Sequence, residues 1–246
     1  MTLLRRQHIT AISIAVVVTL SSFASSTVSA TTDRTSMSES SSHIERRPNV
    51  RKAQLLYRIE TEDPVVFITI DDGYDVQGNG LDLLERWRWP VTSFLLPFNS
   101  RDHVPYFQNV GRKNDIGSHT ARHTILKGLS LKKQTAAICD GEKQLMQQFG
   151  GTTGFFRPPT GSWDENTLVA AASCGITHVL LWKVSMNGST MTTWGPPPQR
   201  GDIVLIHYVG SLDKSLKRIA WELKKRGLRV ARLADYIPAR HVLPMR

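Results

Sequence analysis

Ionisable side chains stand directly after several short apolar runs of this sequence. The groups that share this position are Asp71, Asp72, His119, His123, Arg157 and His207. In a barrel of parallel strands, the loops at the carboxyl ends of the strands converge on one mouth. Each group alone suits an ordinary loop, since Asp-Gly after a strand is also a common turn. Their joint position after separate runs favours one functional site.

Two of these groups, His119 and His123, form an H-x-x-x-H pair within GSHTARHTIL. On a helical turn, histidines at this spacing share a face and can reach one cation. One added carboxylate gives two imidazoles and one acid, which leaves positions open for water and substrate. The set predicts a catalytic site for one divalent metal ion, with Zn²⁺ expected and Co²⁺ or a similar ion as the alternative. Fe(II) oxygenases use the same donors, but that chemistry would leave the second aspartate and His207 without a role.

The adjacent carboxylates can divide the work of a hydrolase. One would bind the metal, and its neighbour would take a proton from water whose pKa the cation lowers. Arg157 can hold this base ionised by charge pairing. His207, from a later strand, is placed to protonate a leaving group.

Apolar, strand-like runs alternate with amphipathic stretches from Asp63 onward. This alternation is typical of a parallel sheet covered by helices. The order predicts an α/β fold, a distorted (β/α) barrel of about seven parallel strands in a single domain. An open doubly wound sheet is the alternative. No G-x-G-x-x-G motif opens a helix, which weakens a nucleotide-binding interpretation.

The chain has 246 residues and a formal net charge of +10. Its densest basic run, 213–232, carries apolar residues at helical spacing, so the basic residues are expected on the solvated face of a packed helix. We therefore expect no nucleic-acid partner. A basic surface also suits an anionic cell envelope.

The N-terminal residues predict export. Arg5 and Arg6 precede an apolar run at 11–20, and small residues surround Ala30, which is typical of a signal peptide over 1–30. The run is shorter than the ~20 residues of a comfortable span, so an uncleaved signal anchor is the one membrane attachment expected. A flexible, Ser/Thr-rich linker is predicted at 31–50 and a catalytic domain at 51–246, with its core at 64–237. The protein is expected to be a secreted or envelope-associated monomer.

Export also bears on the cysteines, Cys139 and Cys174, which fall on two predicted helices. They lack C-x-x-C spacing, and an oxidising compartment favours a structural disulfide over a redox or metal pair. A bond between them would brace neighbouring helices.

Four motifs, TIDDG, HTARH, FRPPTG and IVLIH, occur in an order and spacing that resemble the polysaccharide deacetylases of the NodB-homology type, also called carbohydrate esterase family four. The resemblance covers roughly 64–237. It implies a distorted (β/α) barrel and metal-dependent removal of acetyl groups from N-acetylated sugars. The implied partner is a polysaccharide such as peptidoglycan or chitin.

The resemblance also assigns roles among the acids and imidazoles. It implies that Asp71 is the catalytic base. It implies metal ligands at Asp72, His119 and His123. Arg157 would orient and tune the base.

Further roles follow from the later motifs. The main-chain N–H of Thr160, where the family usually has tyrosine, would complete an oxyanion hole. Leu205 would line the acetyl pocket, and His207 would protonate the departing amine. Trp182 or Trp194 would either fill the pocket in place of the family's tryptophan or pack elsewhere.

One family motif is missing. Ser185, Asn187 and Gly188 stand where the family often carries aspartates that support the acid histidine. Without a carboxylate partner, His207 would be a less effective general acid or would rely on different neighbours. The departure leaves a second possibility open, a catalytically impaired relative that binds glycan.

Overall fold

The structure is a computed structural model that describes residues 51–76, 80–113 and 115–237. The predicted signal peptide at 1–30, the predicted linker at 31–50 and the end of the predicted domain at 238–246 lie outside the described residues. Among the described residues, no helix has both the length and the apolar character that a membrane crossing requires.

The described residues form ten strands and six α-helices, with three short 3₁₀ segments between them. The strands are β1 (Gln54–Leu56), β2 (Val65–Asp72), β3 (Val91–Leu95), β4 (Asp115–Ser118), β5 (Phe155–Phe156), β6 (His178–Leu180), β7 (Val184–Asn187), β8 (Thr190–Thr193), β9 (Ile203–His207) and β10 (Arg229–Val230). The helices are α1 (Gly80–Trp87), α2 (Pro97–Ser100), α3 (Val104–Lys113), α4 (Leu131–Phe149), α5 (Glu165–Ser173) and α6 (Leu212–Arg226).

The strands form one sheet in the order β1-β6-β5-β4-β3-β2-β9-β7-β8, with β10 beside the start of β2. Neighbouring strands pair in parallel, except for the antiparallel hairpin of β7 and β8. Helices follow most of the parallel strands, as crossover connections require. The fold is the predicted distorted (β/α) barrel, and this prediction is confirmed.

Two parts of the sheet were not predicted. β1 precedes the predicted core boundary at residue 64 and pairs with β6. The segment that lacks the family's acidic motif forms the β7–β8 hairpin, whose two-residue turn begins at Gly188 with a φ of 57°. Both elements consist of short, partly exposed strands, which leave little periodic signal.

The central strand, β2, positions the acids. Its residues are buried from Val65 to Asp71, and it lies between β3 and β9. The chain leaves β2 through Gly73, which has a φ of 70°. A Cβ atom there would lie 2.9 Å from Leu95 Cδ2 and 3.2 Å from the ring of Phe107. Glycine therefore lets the chain turn tightly against the core directly after the two aspartates.

A disulfide joins Cys139 in α4 to Cys174, the residue that caps α5. The S–S distance is 2.01 Å. The bond ties together two helices whose inner faces share an apolar cluster with Ile138 and Phe156. It braces α4, the helix that packs behind the histidine-bearing loop.

The basic run predicted to lie on a helix face is placed as expected. α6 buries Leu216, Ile219 and Leu223 against the core. Lys224 and Lys225 are exposed.

Candidate active site

The carboxyl ends of four parallel strands bring the predicted site residues together. β2 ends at Asp72 and β9 at His207, while His119 follows β4 and Arg157 follows β5 directly. These strands surround β3 in one continuous part of the sheet. Parallel pairing puts all four ends at the same mouth, so the sequence prediction of one shared site agrees with the observed placement.

Three potential ligands face one another at this mouth. The Nε2 atom of His119 lies 3.6 Å from Oδ1 of Asp72, and the Nε2 atom of His123 lies 3.8 Å from the same oxygen. One ligand atom from each residue lies within 4.8 Å of the other two. Asp72 Oδ1 is buried and has no hydrogen-bond partner among the described residues. A buried carboxylate oxygen without a donor suggests that a cation belongs there.

The protonation of His119 supports this interpretation. Its Nδ1 atom lies 2.7 Å from the main-chain carbonyl oxygen of Arg157, which can only accept, so Nδ1 carries the proton. Burial lowers the pKa of His119 to about 3, so the ring is neutral. Its Nε2 lone pair therefore faces Asp72, as a metal-binding imidazole requires.

The loop that carries the histidines is not the helical turn that the spacing predicted. Residues 119–123 form a bend, in which Thr120 has a φ of 66° and His123 a φ of 56°. The two imidazole centroids nevertheless lie 5.1 Å apart. Left-handed backbone at two positions, and not an i,i+4 face, brings the rings together.

Helix α4 approaches this loop closely at Gly141. A Cβ atom on Gly141 would lie 2.5 Å from the carbonyl carbon of Thr120 and 2.7 Å from the nitrogen of Ala121. The absence of a side chain at this position lets the helix support the backbone of the histidine loop.

Asp71 and Arg157 form a buried ion pair beside the ligand cluster. Arg157 Nη1 donates to Oδ1 of Asp71 at 2.7 Å. Burial raises the pKa of Asp71, whereas the charges of Arg157 and then His207 oppose the rise. The other oxygen, Oδ2, lies 3.9 Å from His119 Nε2 and so faces the cluster. A carboxylate that is paired with a guanidinium and has one oxygen free toward the site can act as a general base.

The guanidinium of Arg157 is fixed on all sides. It donates to the carbonyl oxygens of Leu180 and Leu181 and to the hydroxyl of Thr69. Its carbon lies 4.4 Å from the ring centroid of Phe94. Sequence reasoning missed Thr69, although its position two residues before Asp71 on a strand places both side chains on one face.

The remaining predicted residues lie around this pair. His207 is opposite Asp71 in the β2–β9 register, and buried Leu205 is opposite Thr69. Thr160 is exposed and has a φ of 59° in a 3₁₀ turn three residues after Arg157. Ser185, one of the positions where the family often has an acid, is instead opposite Leu205 on β7.

Comparisons with known proteins agree with this arrangement. The polysaccharide deacetylase family profile matches residues 58–179. An uncharacterised protein of Streptomyces coelicolor is 34% identical over 192 residues, which is 73% of this chain and 75% of that protein. Chitin deacetylase 2 of Saccharomyces cerevisiae is 30% identical over 132 residues, 50% of this chain and 41% of the yeast protein.

Among solved structures, the peptidoglycan N-acetylglucosamine deacetylase Bc1960 superposes with a TM-score of 0.66 at 24% identity. The superposition covers 77% of this chain and 94% of that protein. At this identity, the likeness is one of fold. Together with the sequence matches, it completes the identification: this chain belongs to the polysaccharide deacetylase family, and the resemblance drawn from its four motifs is confirmed.

Proposed function

We propose that this protein is an exported, metal-dependent hydrolase that removes N-acetyl groups from an N-acetylglucosamine polymer of the peptidoglycan or chitin type. Membership of the family supports deacetylation as the reaction. The single observation that carries metal dependence is the buried, unpartnered Oδ1 of Asp72, which two imidazole nitrogens face.

The donor set fits one divalent cation held by Asp72, His119 and His123. Two neutral imidazoles and one carboxylate suit Zn²⁺, with Co²⁺ or a similar ion as the alternative. When bound, such an ion supplies Lewis-acid activation of water and of the acetamide carbonyl.

The proton from the attacking water goes to Asp71. Arg157 occupies Oδ1 of this carboxylate, so Oδ2, which faces the ligand cluster, is the accepting atom. The buried ion pair fixes the orientation of the carboxylate and favours its ionised form, against the effect of burial. A base that does not have to reorient avoids part of the entropic cost of the reaction.

Thr160, His207 and Leu205 would complete the reaction. The main-chain N–H of Thr160 would donate to the oxyanion that develops as the carbonyl carbon becomes tetrahedral. His207, on the strand beside Asp71, would protonate the nitrogen as the C–N bond breaks. The products are acetate and a free amine. Leu205 would contact the acetyl methyl group.

The second candidate is a catalytically impaired relative that binds glycan without cleaving it. The serine, asparagine and glycine at 185, 187 and 188 motivate it, because they replace the acids that the family often places near the acid histidine. The ordered Asp71–Arg157 pair favours the enzyme, since a binding protein does not need a buried base beside a ligand cluster.

Acetate release separates the two candidates. The substrate is a pentamer of N-acetylglucosamine with added Zn²⁺, and the proteins are the wild type, Asp71→Asn and the exposed control Asp82→Asn. We expect Asp71→Asn to lose about 10³-fold in kcat while it keeps bound zinc, and the control to match the wild type. Negligible acetate from wild type and Asp71→Asn alike, with sugar binding intact, would establish the glycan-binding candidate instead.

A further inference from the structure

A second chamber of about 320 Å³ lies beside the candidate active site. Its lining includes Tyr57, Thr160, Gly161, Trp182, Lys183 and Trp194. This size lies in the range of small-ligand pockets. The proposed reaction uses only Thr160 among these residues, and only its main chain. For Trp182 and Trp194 the sequence left open whether they fill the acetyl pocket or pack elsewhere.

The chamber shares a wall with the active site. Arg157 donates to the carbonyl oxygen of Leu181, which also lines the chamber, and the guanidinium carbon lies 5.4 Å from the ring centroid of Trp182. Thr160, the proposed oxyanion donor, lines the chamber as well. A polymer that presents one sugar to the active site would therefore place an adjoining sugar here.

Two aromatic rings at the chamber are open to solvent. Trp194 is 53% exposed and Tyr57 is 38% exposed. Trp194 is held in place at the end of the β7–β8 hairpin, because its main-chain nitrogen donates to the carbonyl oxygen of Lys183 at 2.9 Å and its ring packs edge-on against Trp182. Fixed, exposed aromatic faces commonly mark binding sites, and they offer apolar area to the C–H face of a sugar ring.

A cation lies among these rings. The Nζ atom of Lys183 is 5.6 Å from the centroid of the Tyr57 ring. Within the described chain, no carboxylate oxygen lies within 4.0 Å of this nitrogen. Burial raises the pKa of Asp202, and the charges of Arg58 and, to a smaller extent, Lys183 oppose the rise. Arg58 is the cation in contact with this acid, at 3.9 Å from Asp202 Oδ1. Lys183 is thus available to a ligand.

We propose that this chamber binds a sugar residue that carries a carboxylate, next to the acetylated residue in the same polymer. The aromatic rings would contact the sugar ring and Lys183 would pair with the acid. A neutral glycan would leave the lysine unpaired, so the chamber favours a polymer in which N-acetylglucosamine alternates with an acidic sugar. This inference rests on the proposed function and names the substrate class of the same site.

The test uses matched tetrasaccharides of N-acetylglucosamine alternating with its 3-O-lactyl derivative, with the lactyl group either as the free acid or as the amide. A third tetrasaccharide, with glucuronic acid as the acidic sugar, distinguishes a lactyl ether from a uronate as the source of the carboxylate. Binding to the zinc-loaded protein is measured by calorimetry, and KM and kcat by acetate release.

We expect the wild type to bind an acid about fivefold more tightly than the amide, the effect of one partly exposed ion pair. Lys183→Met should remove that preference without weakening binding of the amide or lowering kcat. The control Lys224→Met, on the exposed face of α6, should retain the preference. Trp194→Ala should weaken binding of the acid and of the amide alike, by about tenfold.

Equal affinity of the wild type for acid and amide, or equal weakening of both by Lys183→Met, would overturn the proposal. Wild-type binding with the expected preference but without acetate release would support the chamber and count against the proposed function. Acetate release without any preference for an acid would count against the chamber alone. Thermal melting of each variant verifies that a loss of binding or of acetate release does not come from unfolding.

Discussion

Arg157 touches both halves of the candidate site. Its carbonyl oxygen lies 2.7 Å from Nδ1 of His119, and its guanidinium lies 2.7 Å from Oδ1 of Asp71. The first contact fixes which nitrogen of His119 carries the proton, and the second fixes which oxygen of Asp71 remains free. A single residue after β5 therefore couples the geometry of the ligand cluster to that of the base.

Replacement of this arginine by lysine should be severe. In Arg157→Lys, one ammonium group cannot replace donors to Leu180, Leu181, Thr69 and Asp71 at once, and a buried charge remains incompletely paired. We expect a loss of about 3 kcal/mol in the free energy of unfolding and a fall in kcat of about 100-fold. Urea unfolding and acetate release measure the two effects. Arg218→Lys on α6 is the matched control, and an equal loss there would contradict the argument.

If Asp72, His119 and His123 bind the metal ion, added metal should stabilise the folded protein. Asp72→Asn keeps the shape of the side chain and tolerates the φ of 77° at this position, but it removes the negative charge. We expect zinc affinity to fall about 100-fold or more. Added Zn²⁺ should raise the melting temperature of the wild type and of Asp82→Asn, but not that of Asp72→Asn at the same concentration. An unchanged zinc-induced shift in Asp72→Asn would place the metal elsewhere.

Gly141→Ala tests the support that α4 gives to the histidine loop. In a free helix this change would stabilise by about 1 kcal/mol. Here the new methyl group would lie 2.5 Å from the backbone of Thr120, so we expect destabilisation by about 2 kcal/mol and weaker zinc binding, because His119 and His123 move with the loop. Lys143→Ala, on an exposed position of the same helix, should leave both quantities unchanged. Stabilisation by Gly141→Ala would show that the contact carries no constraint.

A buried acid in α4 predicts a pH dependence of stability. Burial raises the pKa of Glu142 from 4.5 to about 7, although the hydrogen bond from Thr152 opposes the rise. Between these values the folded chain retains a proton that the unfolded chain has lost, so this group's contribution to stability is present below pH 4.5 and is lost as the pH rises toward about 7. Glu142→Gln can still accept the hydrogen bond from Thr152.

The matched measurement is the free energy of unfolding of wild type and Glu142→Gln across this pH window. We expect the wild type to lose stability relative to the variant by an amount on the order of a few kcal/mol. Parallel pH profiles of the two proteins would show that Glu142 does not titrate in this range. Glu165→Gln, an exposed acid on α5, should follow the wild-type profile.

The sequence alone determined the parts of the site that depend on strand order. Continuous apolar runs fix where the buried strands end, and parallel connection puts those ends at one mouth, so Asp71, Asp72, His119, Arg157 and His207 could be predicted to meet. The two cysteines could likewise be assigned to a bond between helices, because the spacing excluded a local redox motif. These inferences need only periodicity and topology.

Tertiary structure decided how the groups face one another. The left-handed backbone at Thr120 and His123 lies in a loop that α4 approaches closely at Gly141, a contact between elements that sequence periodicity does not reveal. The chamber beside the site likewise takes Tyr57 from the end of β1 and Trp194 from the β7–β8 hairpin. Local sequence propensity cannot predict these contacts, because packing between elements far apart in the chain determines the backbone conformation and the side-chain directions together.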